Sequence, residues 1–104
     1  MLRFARPALV TTLALAGLLA GCSTVEEDKT ANWTPERIYT EARDEAQSGG
    51  YEQAVPLFEK LEGRAAGTPL AQQAQLEKAY AQYKSGEKAQ AVATLDRFMK
   101  LHPS

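Results

Sequence analysis

The chain has 104 residues, with 12 Lys and Arg against 13 Asp and Glu, and its formal net charge is −1. This balance lacks the basic patch that nucleic-acid binding requires, so we expect no nucleic-acid partner. The single cysteine, Cys22, excludes an internal disulfide, a thiolate metal cage and a Cys-x-x-Cys redox pair. Its remaining roles are a buried thiol, a nucleophile or a site of attachment.

Residues 1–21 have the pattern of a secretory signal peptide. Arg3 and Arg6 give a positive start, residues 8–20 carry no charge, and small residues precede Cys22. The uncharged run is 13 residues long. It is too short to cross a bilayer, which takes roughly 20 apolar residues. The run therefore predicts export of the chain and not a membrane span.

The sequence LAGC, residues 19–22, resembles the lipobox of bacterial lipoproteins. That resemblance implies cleavage before Cys22 and acylation of its sulfur and of the new amino terminus, so a covalent lipid is the only attached group we expect. Several acyl chains on one residue anchor firmly where a single chain is marginal. Ser23 stands where Asp would signal retention in the inner membrane, which implies an outer-membrane anchor. The alternative is an ordinary signal peptide with an incidental cysteine.

Residues 22–33 are predicted to be a flexible tether between the lipid and a folded domain. Residues 23–32 are polar and lack periodicity. Without Arg3 and Arg6, the 12 basic residues become ten against 13 acidic residues, a net charge of −3. The folded part is then residues 34–104, a small domain of marginal stability.

Capping residues and glycines predict four helices and no strand in residues 34–104. Thr34-Pro35 and Thr68-Pro69 each combine a good N-cap with a proline at the first helical position. Gly49 and Gly86 are typical of helix ends. The four predicted helices are residues 35–48, 51–64, 70–85 and 87–101.

Pro56 conflicts with a regular second helix. It lies past the first turn, where a proline removes a backbone hydrogen bond and crowds the preceding turn. We expect either a kink at this residue or a helix that starts nearer Gln53.

The four helices form two copies of one helix–turn–helix unit, residues 34–66 and 69–104. A shift of 37 residues superimposes the small residues, the large apolar residues and the turn glycines. The matching pairs are Ala42 and Ala79, Gly49 and Gly86, Ala54 and Ala91, Phe58 and Leu95, and Leu61 and Phe98. A tetratricopeptide repeat has this arrangement. The sequence therefore predicts an all-α fold of two tetratricopeptide-like hairpins, with a generic pair of helical hairpins as the alternative.

The last predicted helix carries more apolar side chains than one preceding hairpin can bury. They are Leu95, Phe98, Met99 and Leu101. We expect some of them to be exposed, at the place where a third repeat would pack.

No catalytic constellation is visible, so we expect no enzyme activity. His102 is the only histidine and lies next to Pro103 at the end of the chain. The acidic residues are spread along helix faces, as on a solvated surface. The sequence has no phosphate-binding loop and no metal-ligand spacing, so we expect no metal site.

A binding surface is the remaining candidate for function. The first helix of each repeat lines the concave side of a helical solenoid, which such proteins use for binding. The residues predicted on this side are Tyr39, Arg43, Gln73, Leu76, Tyr80 and Tyr83. Their side chains can stack on an extended peptide and form hydrogen bonds with it. The alternative is that Tyr80 and Tyr83 pack between the repeats.

Two longer segments resemble the BamD (ComL) family of lipoproteins of the outer-membrane β-barrel assembly machine. They are IYTEARDEAQSGGYEQAVPLFEKLEGR and QLEKAYAQYKSGEKAQAVATLDRFMKLHP, of which the second is the more specific. The resemblance implies a non-enzymatic adaptor that is lipid-anchored at the periplasmic face of the outer membrane. The implied partners are that membrane, unfolded outer-membrane proteins and other subunits of the machine.

Members of that family have more repeats than the two found here, so we expect a truncated protein that keeps the amino-terminal repeats. By resemblance, those repeats recognise unfolded barrel substrates. Two alternative functions stay open. One is another repeat lipoprotein scaffold, for example in peptidoglycan synthesis, and the other is an accessory part of an enzyme whose catalytic region is absent.

Overall fold

The computed structural model of the protein describes residues 28–103, so the predicted signal peptide and Cys22 lie outside the described residues. The described chain forms four helices and no strand, which confirms the all-α fold. The helices are α1 (Pro35–Gln47), α2 (Tyr51–Arg64), α3 (Pro69–Lys84) and α4 (Lys88–Leu101). They form two tetratricopeptide-like hairpins, α1–α2 and α3–α4, and consecutive helices pack against each other. None of these four helices is long and apolar enough to cross a bilayer.

The first helix of each hairpin starts in the same way. Thr34 Oγ1 accepts a hydrogen bond from the Arg37 amide at 3.2 Å, and Thr68 Oγ1 accepts one from the Ala71 amide at 3.4 Å. A proline follows each threonine at the start of the helix. These contacts confirm the Thr-Pro prediction, because they satisfy amides that have no partner within the helix.

The turn inside each hairpin is also the same. Gly49 and Gly86 have φ angles of 92° and 91°, in the left-handed region that glycine adopts without strain. The amides of the next residues, Gly50 and Glu87, donate to the carbonyls of Glu45 and Gln82, each at 2.8 Å. Such bonds close the last turn of a helix. The predicted helix ends at these glycines are therefore confirmed.

The hydrophobic core lies between α1, α2 and α3. Its largest fully buried apolar side chains are Ile38, Phe58 and Leu61. Small residues are also fully buried in this core: Ala42, Ala54, Ala74 and Ala81. Because the side chains at a contact set the distance between helix axes, alanines allow close packing. The fourth helix packs against α3 and buries Ala91 and Thr94.

Pro56 lies in the interior of α2. This helix starts at Tyr51, so the expectation that it begins nearer Gln53 is wrong. Proline has no N–H, and the Glu52 carbonyl therefore lacks its usual helical donor. Both residues are exposed, so water can satisfy that carbonyl. A kink at Pro56 stays a prediction.

Residues 28–33 differ from the prediction of a flexible tether over residues 22–33. Thr30 is 1% exposed, and Arg64 at the end of α2 donates hydrogen bonds to the carbonyls of Thr30 and Trp33. Buried carbonyl groups need such partners, so this segment packs against the domain. The tether prediction is therefore wrong for residues 28–33, and the division of the chain into residues 1–21, 22–33 and 34–104 otherwise stays a prediction.

Candidate binding surface

The structure divides the predicted binding residues into two groups, of which the first is polar. Tyr39 and Arg43 on α1 and Gln73 on α3 meet around Glu77, a residue that the sequence analysis missed. Arg43 Nε lies 3.6 Å from Glu77 Oε1, and Gln73 Nε2 donates to Glu77 Oε2 at 3.3 Å. We call these four residues the polar cluster. It connects the first helices of the two hairpins.

The polar cluster is partly open to solvent. The Arg43 and Glu77 side chains are 48% and 26% exposed, so their attraction is screened and contributes little stability. Burial raises the pKa of the Tyr39 hydroxyl, and the Glu77 carboxylate raises it further. The Arg43 guanidinium lies 5.6 Å from the centre of the Tyr39 ring, within cation–π range. Tyr39 is therefore neutral at physiological pH, and the half-exposed Arg43 can donate to a ligand.

The second group, Leu76, Tyr80 and Tyr83, lies in an apolar groove between α3 and α4. The other lining residues are Ala79, Lys88, Ala91, Val92 and Leu95. The groove has a volume of about 450 Å³. We call it the α3–α4 groove. Tyr80 and Tyr83 are 57% and 56% exposed, so neither is a core residue, although Tyr80 does contact the first hairpin.

Aromatic and basic side chains meet at one end of the α3–α4 groove. The Tyr80 ring meets the Tyr51 ring edge to face, with centroids 6.1 Å apart. Lys84 Nζ lies 5.8 Å from the centre of the Tyr51 ring, and Lys88 Nζ lies 5.9 Å from that of Tyr83. This arrangement suits a ligand that carries apolar side chains and a negative charge.

Apolar side chains remain exposed along α4, as the sequence predicted. Val92, Met99 and Leu101 are 67%, 63% and 67% exposed, and Leu95 is 41% exposed. Phe98 differs, because it is half-buried and its ring lies 4.9 Å from that of His102. Val92, Leu95 and Met99 recur at intervals of three and four residues, so they lie on one face of α4, which we call the exposed stripe. Val92 and Leu95 also line the α3–α4 groove.

The described residues offer no metal centre. Within residues 28–103, no group of three or more His, Cys, Asp or Glu side chains is arranged to hold a metal ion. Cys22, the predicted lipidation site, lies outside that range, so its acylation stays a prediction.

The chain is similar to known outer-membrane assembly factors. It is 44% identical over 100 residues to "Outer membrane protein assembly factor BamD" of Neisseria meningitidis serogroup B (strain ATCC BAA-335 / MC58). It is 36% identical over 95 residues to the protein of that name from Vibrio cholerae and 30% identical over 87 residues to that from Haemophilus influenzae. These alignments cover 91%, 86% and 84% of the chain. The chain spans only 38%, 39% and 33% of the lengths of those three relatives.

A comparison with protein families gives the same assignment. The family model described as "Outer membrane lipoprotein" (YfiO) matches residues 31–104, which is most of the chain and includes both hairpins. The protein therefore belongs to this family of outer-membrane lipoproteins, as the resemblance to BamD predicted.

Proposed function

We propose that the chain is a lipid-anchored adaptor at the periplasmic face of the outer membrane, where it binds unfolded β-barrel proteins during their assembly. Membership of a family of outer-membrane lipoproteins and similarity to assembly factors support this role. Other subunits of the assembly machinery are its further partners. The observation that carries the binding proposal is the α3–α4 groove, in which two tyrosine rings are more than half exposed.

The α3–α4 groove supplies the apolar part of the binding energy. Large aromatic side chains in a concave site commonly dominate binding, because each buries a large area with few rotatable bonds. An extended segment of an unfolded barrel protein alternates apolar and polar side chains. Its apolar side chains would lie against Leu76 and Tyr80, and the Tyr83 hydroxyl can bond to its backbone.

The polar cluster orients the bound segment by hydrogen bonding to its backbone. Gln73 and Arg43 are both exposed, and each has further donors beyond those that contact Glu77. Carbonyl groups of an extended peptide need such donors. A segment that reached from the groove to this cluster would cross α3 and contact both hairpins.

Titration of a labelled peptide tests this proposal. The peptide has the sequence of the last strand of an outer-membrane barrel protein and ends in an aromatic residue. Truncation of interface aromatic and arginine side chains commonly costs about 1 to 4 kcal/mol of binding free energy. We expect Tyr83→Ala and Tyr80→Ala to weaken binding most and Arg43→Ala to weaken it less, as measured by fluorescence anisotropy.

Glu52→Ala is the matched control for this titration. Glu52 is exposed near the start of α2 and does not line the α3–α4 groove, so its loss should leave the affinity unchanged. Equal affinities for the wild type, the three surface variants and the control would contradict the assignment of this surface.

The anchor has its own test. Cys22→Ser removes the thiol that the lipobox resemblance assigns to acylation. We expect metabolic labelling with a fatty acid to mark the wild type and not the variant, which should be either uncleaved or soluble. Equal labelling of both proteins would contradict the proposed anchor.

A further inference from the structure

Residues 28–33 form a compact segment before α1, which we call the strap. Its backbone turns twice, because the Ala31 amide donates to the Asp28 carbonyl and the Trp33 amide donates to the Thr30 carbonyl, both at 3.0 Å. Asp28 Oδ1 accepts from the Thr30 amide at 2.9 Å and from the Thr30 hydroxyl at 2.6 Å. The strap therefore has a defined local structure.

Two basic residues of α2 hold the strap. Arg64 Nη1 donates to the Thr30 carbonyl at 2.6 Å and to the Trp33 carbonyl at 3.2 Å. Arg64 Nη2 donates to Thr30 Oγ1 at 3.3 Å and lies 3.5 Å from Asp28 Oδ2. Lys60 forms an ion pair with Asp28. A planar guanidinium that contacts four oxygen atoms fixes the position of the strap as well as attracting it.

Packing adds to these contacts. Thr30 is 1% exposed, so both its carbonyl and its hydroxyl depend on protein partners. Trp33 packs against the core cluster, and the Arg37 guanidinium lies 4.2 Å from the centre of its ring. Exposed ion pairs alone contribute little to the stability of docking. The burial of Thr30 and the packing of Trp33 against the core cluster add apolar contacts between the strap and the domain.

The strap also sets where the chain enters the domain. Helices in consecutive antiparallel hairpins place the start of α1, the end of α2 and the start of α3 at one end of the molecule. Arg64 and the strap lie at that end. The turn between α3 and α4, with Tyr83 and Lys88 beside it, lies at the opposite end.

We propose that the strap sets the distance between the domain and the lipid surface. This inference rests on the proposed anchor at Cys22. With the strap docked, the six residues from Cys22 to Asp28 reach at most about 20 Å. With the strap released, the twelve residues to Thr34 reach about 40 Å. Docking thus halves the reach and directs the Arg64 end to the membrane, while the Tyr83 end of the groove faces the periplasm.

The sequence itself supplies clean probes for this proposal. Cys22 is the only cysteine and Trp33 the only tryptophan in the chain. The experiment uses residues 22–104, which include every residue that the structure describes. This protein is coupled through the Cys22 thiol to a maleimide lipid in vesicles that also contain a lipid with a dansyl-labelled headgroup. Energy transfer from Trp33 to dansyl reports distance, and amide hydrogen exchange at Ala31 and Trp33 reports docking.

Asp28→Asn and Arg64→Ala are the test variants, and Asp44→Asn on the exposed face of α1 is the matched carboxylate control. We expect Arg64→Ala to speed exchange at the two strap amides by about tenfold or more, because it removes charge-assisted hydrogen bonds to the strap, and Asp28→Asn to speed exchange by a smaller factor. Energy transfer should fall in the same variants, with the α2 amides still protected. The control should change neither readout. Asp28 is on the surface, so this variant keeps its fold even if Arg64→Ala does not.

Unchanged exchange in Asp28→Asn would overturn docking of the strap by this carboxylate. Faster exchange with unchanged energy transfer would overturn the proposal that the strap sets the distance between the domain and the lipid surface. Chemical coupling replaces natural acylation in this experiment, so a failure here is distinct from a failure of the proposed anchor, which the Cys22→Ser labelling decides.

Discussion

The two hairpins have the same turns and caps but bury equivalent residues to different extents. Gly49 and Gly86 have φ angles within one degree of each other, at 92° and 91°. Phe58 in α2 is 1% exposed, whereas Leu95, its counterpart in α4, is 41% exposed. The same caps and turn glycines have therefore produced the same backbone turns in both hairpins, whereas the side chains at equivalent positions are buried to different extents.

The difference comes from the neighbour of each hairpin. In the first hairpin, α3 packs against α2 and completes the core around Phe58 and Leu61. Within residues 28–103, no further helix follows α4 to do the same for the second hairpin. In stacked repeats, a side chain is buried by the neighbouring repeat as much as by its own repeat. The two hairpins can therefore be compared by matched substitutions.

Phe58→Ala and Leu95→Ala should give the largest difference. Replacing a fully buried phenylalanine by alanine costs about 3 to 5 kcal/mol, because a cavity remains. Small domains hold only about 5 to 15 kcal/mol in total. The same change at the half-open Leu95 should cost about 1 kcal/mol or less. Urea unfolding followed by circular dichroism measures both.

Equal losses of unfolding free energy in these two variants would contradict the difference in burial between Phe58 and Leu95. Such a result means that Leu95 is covered in solution, for example by a second copy of the chain. Dependence of the Leu95→Ala result on protein concentration would identify that case.

The backbone of this protein could be predicted from sequence better than its polar contacts. Thr-Pro caps and turn glycines act within a few residues, so the helix limits follow from them. Glu77 was missed because its role depends on Arg43, which is 34 residues away in sequence and is brought near only by the tertiary fold. Thr30 was assigned to a tether because its partner, Arg64, lies 34 residues away. Local patterns do not contain such long-range partners.

Gly49→Ala and Gly86→Ala should give equal effects of intermediate size. A left-handed conformation costs about 1 to 2 kcal/mol for a residue with a Cβ atom. An added Cβ meets no atom within 4 Å at either site, so strain of the backbone is the only cost in both turns. Thermal or urea unfolding should therefore show the same loss of stability in the two variants.

Gly63→Ala is the control for the two turn glycines. Gly63 lies inside α2, and an added Cβ meets nothing within 4 Å there. Alanine is favoured over glycine in a helix by about 0.5 to 1 kcal/mol, so this variant should gain stability. Unequal losses at Gly49 and Gly86 would show that the two turns differ energetically despite their matching angles.

Met99→Glu should change association more than stability. Met99 is 63% exposed, and surface substitutions usually stay within about 0.5 kcal/mol. A charge at this position interrupts the exposed apolar stripe of α4, so self-association should weaken in sedimentation velocity experiments over a range of concentrations. Phe98→Glu is a poorer test, because Phe98 packs against His102. A wild-type protein that is monomeric throughout would contradict an associating stripe.

The smallest expected effect concerns Tyr39, in the polar cluster that joins the hairpins. Burial raises its pKa above the ordinary value of 10.0, and Glu77 adds to the shift. A raised pKa in the folded state means a contribution to stability that is complete below pH 10 and is lost as pH rises through the folded pKa. Glu77→Gln should lower the pKa of Tyr39, because it removes the carboxylate that adds to the effect of burial and leaves the opposing effect of Arg43 in place. Nuclear magnetic resonance of the tyrosine ring carbons follows each of the four tyrosines separately. A pKa that does not move in Glu77→Gln would show that the Glu77 carboxylate does not act on the Tyr39 hydroxyl.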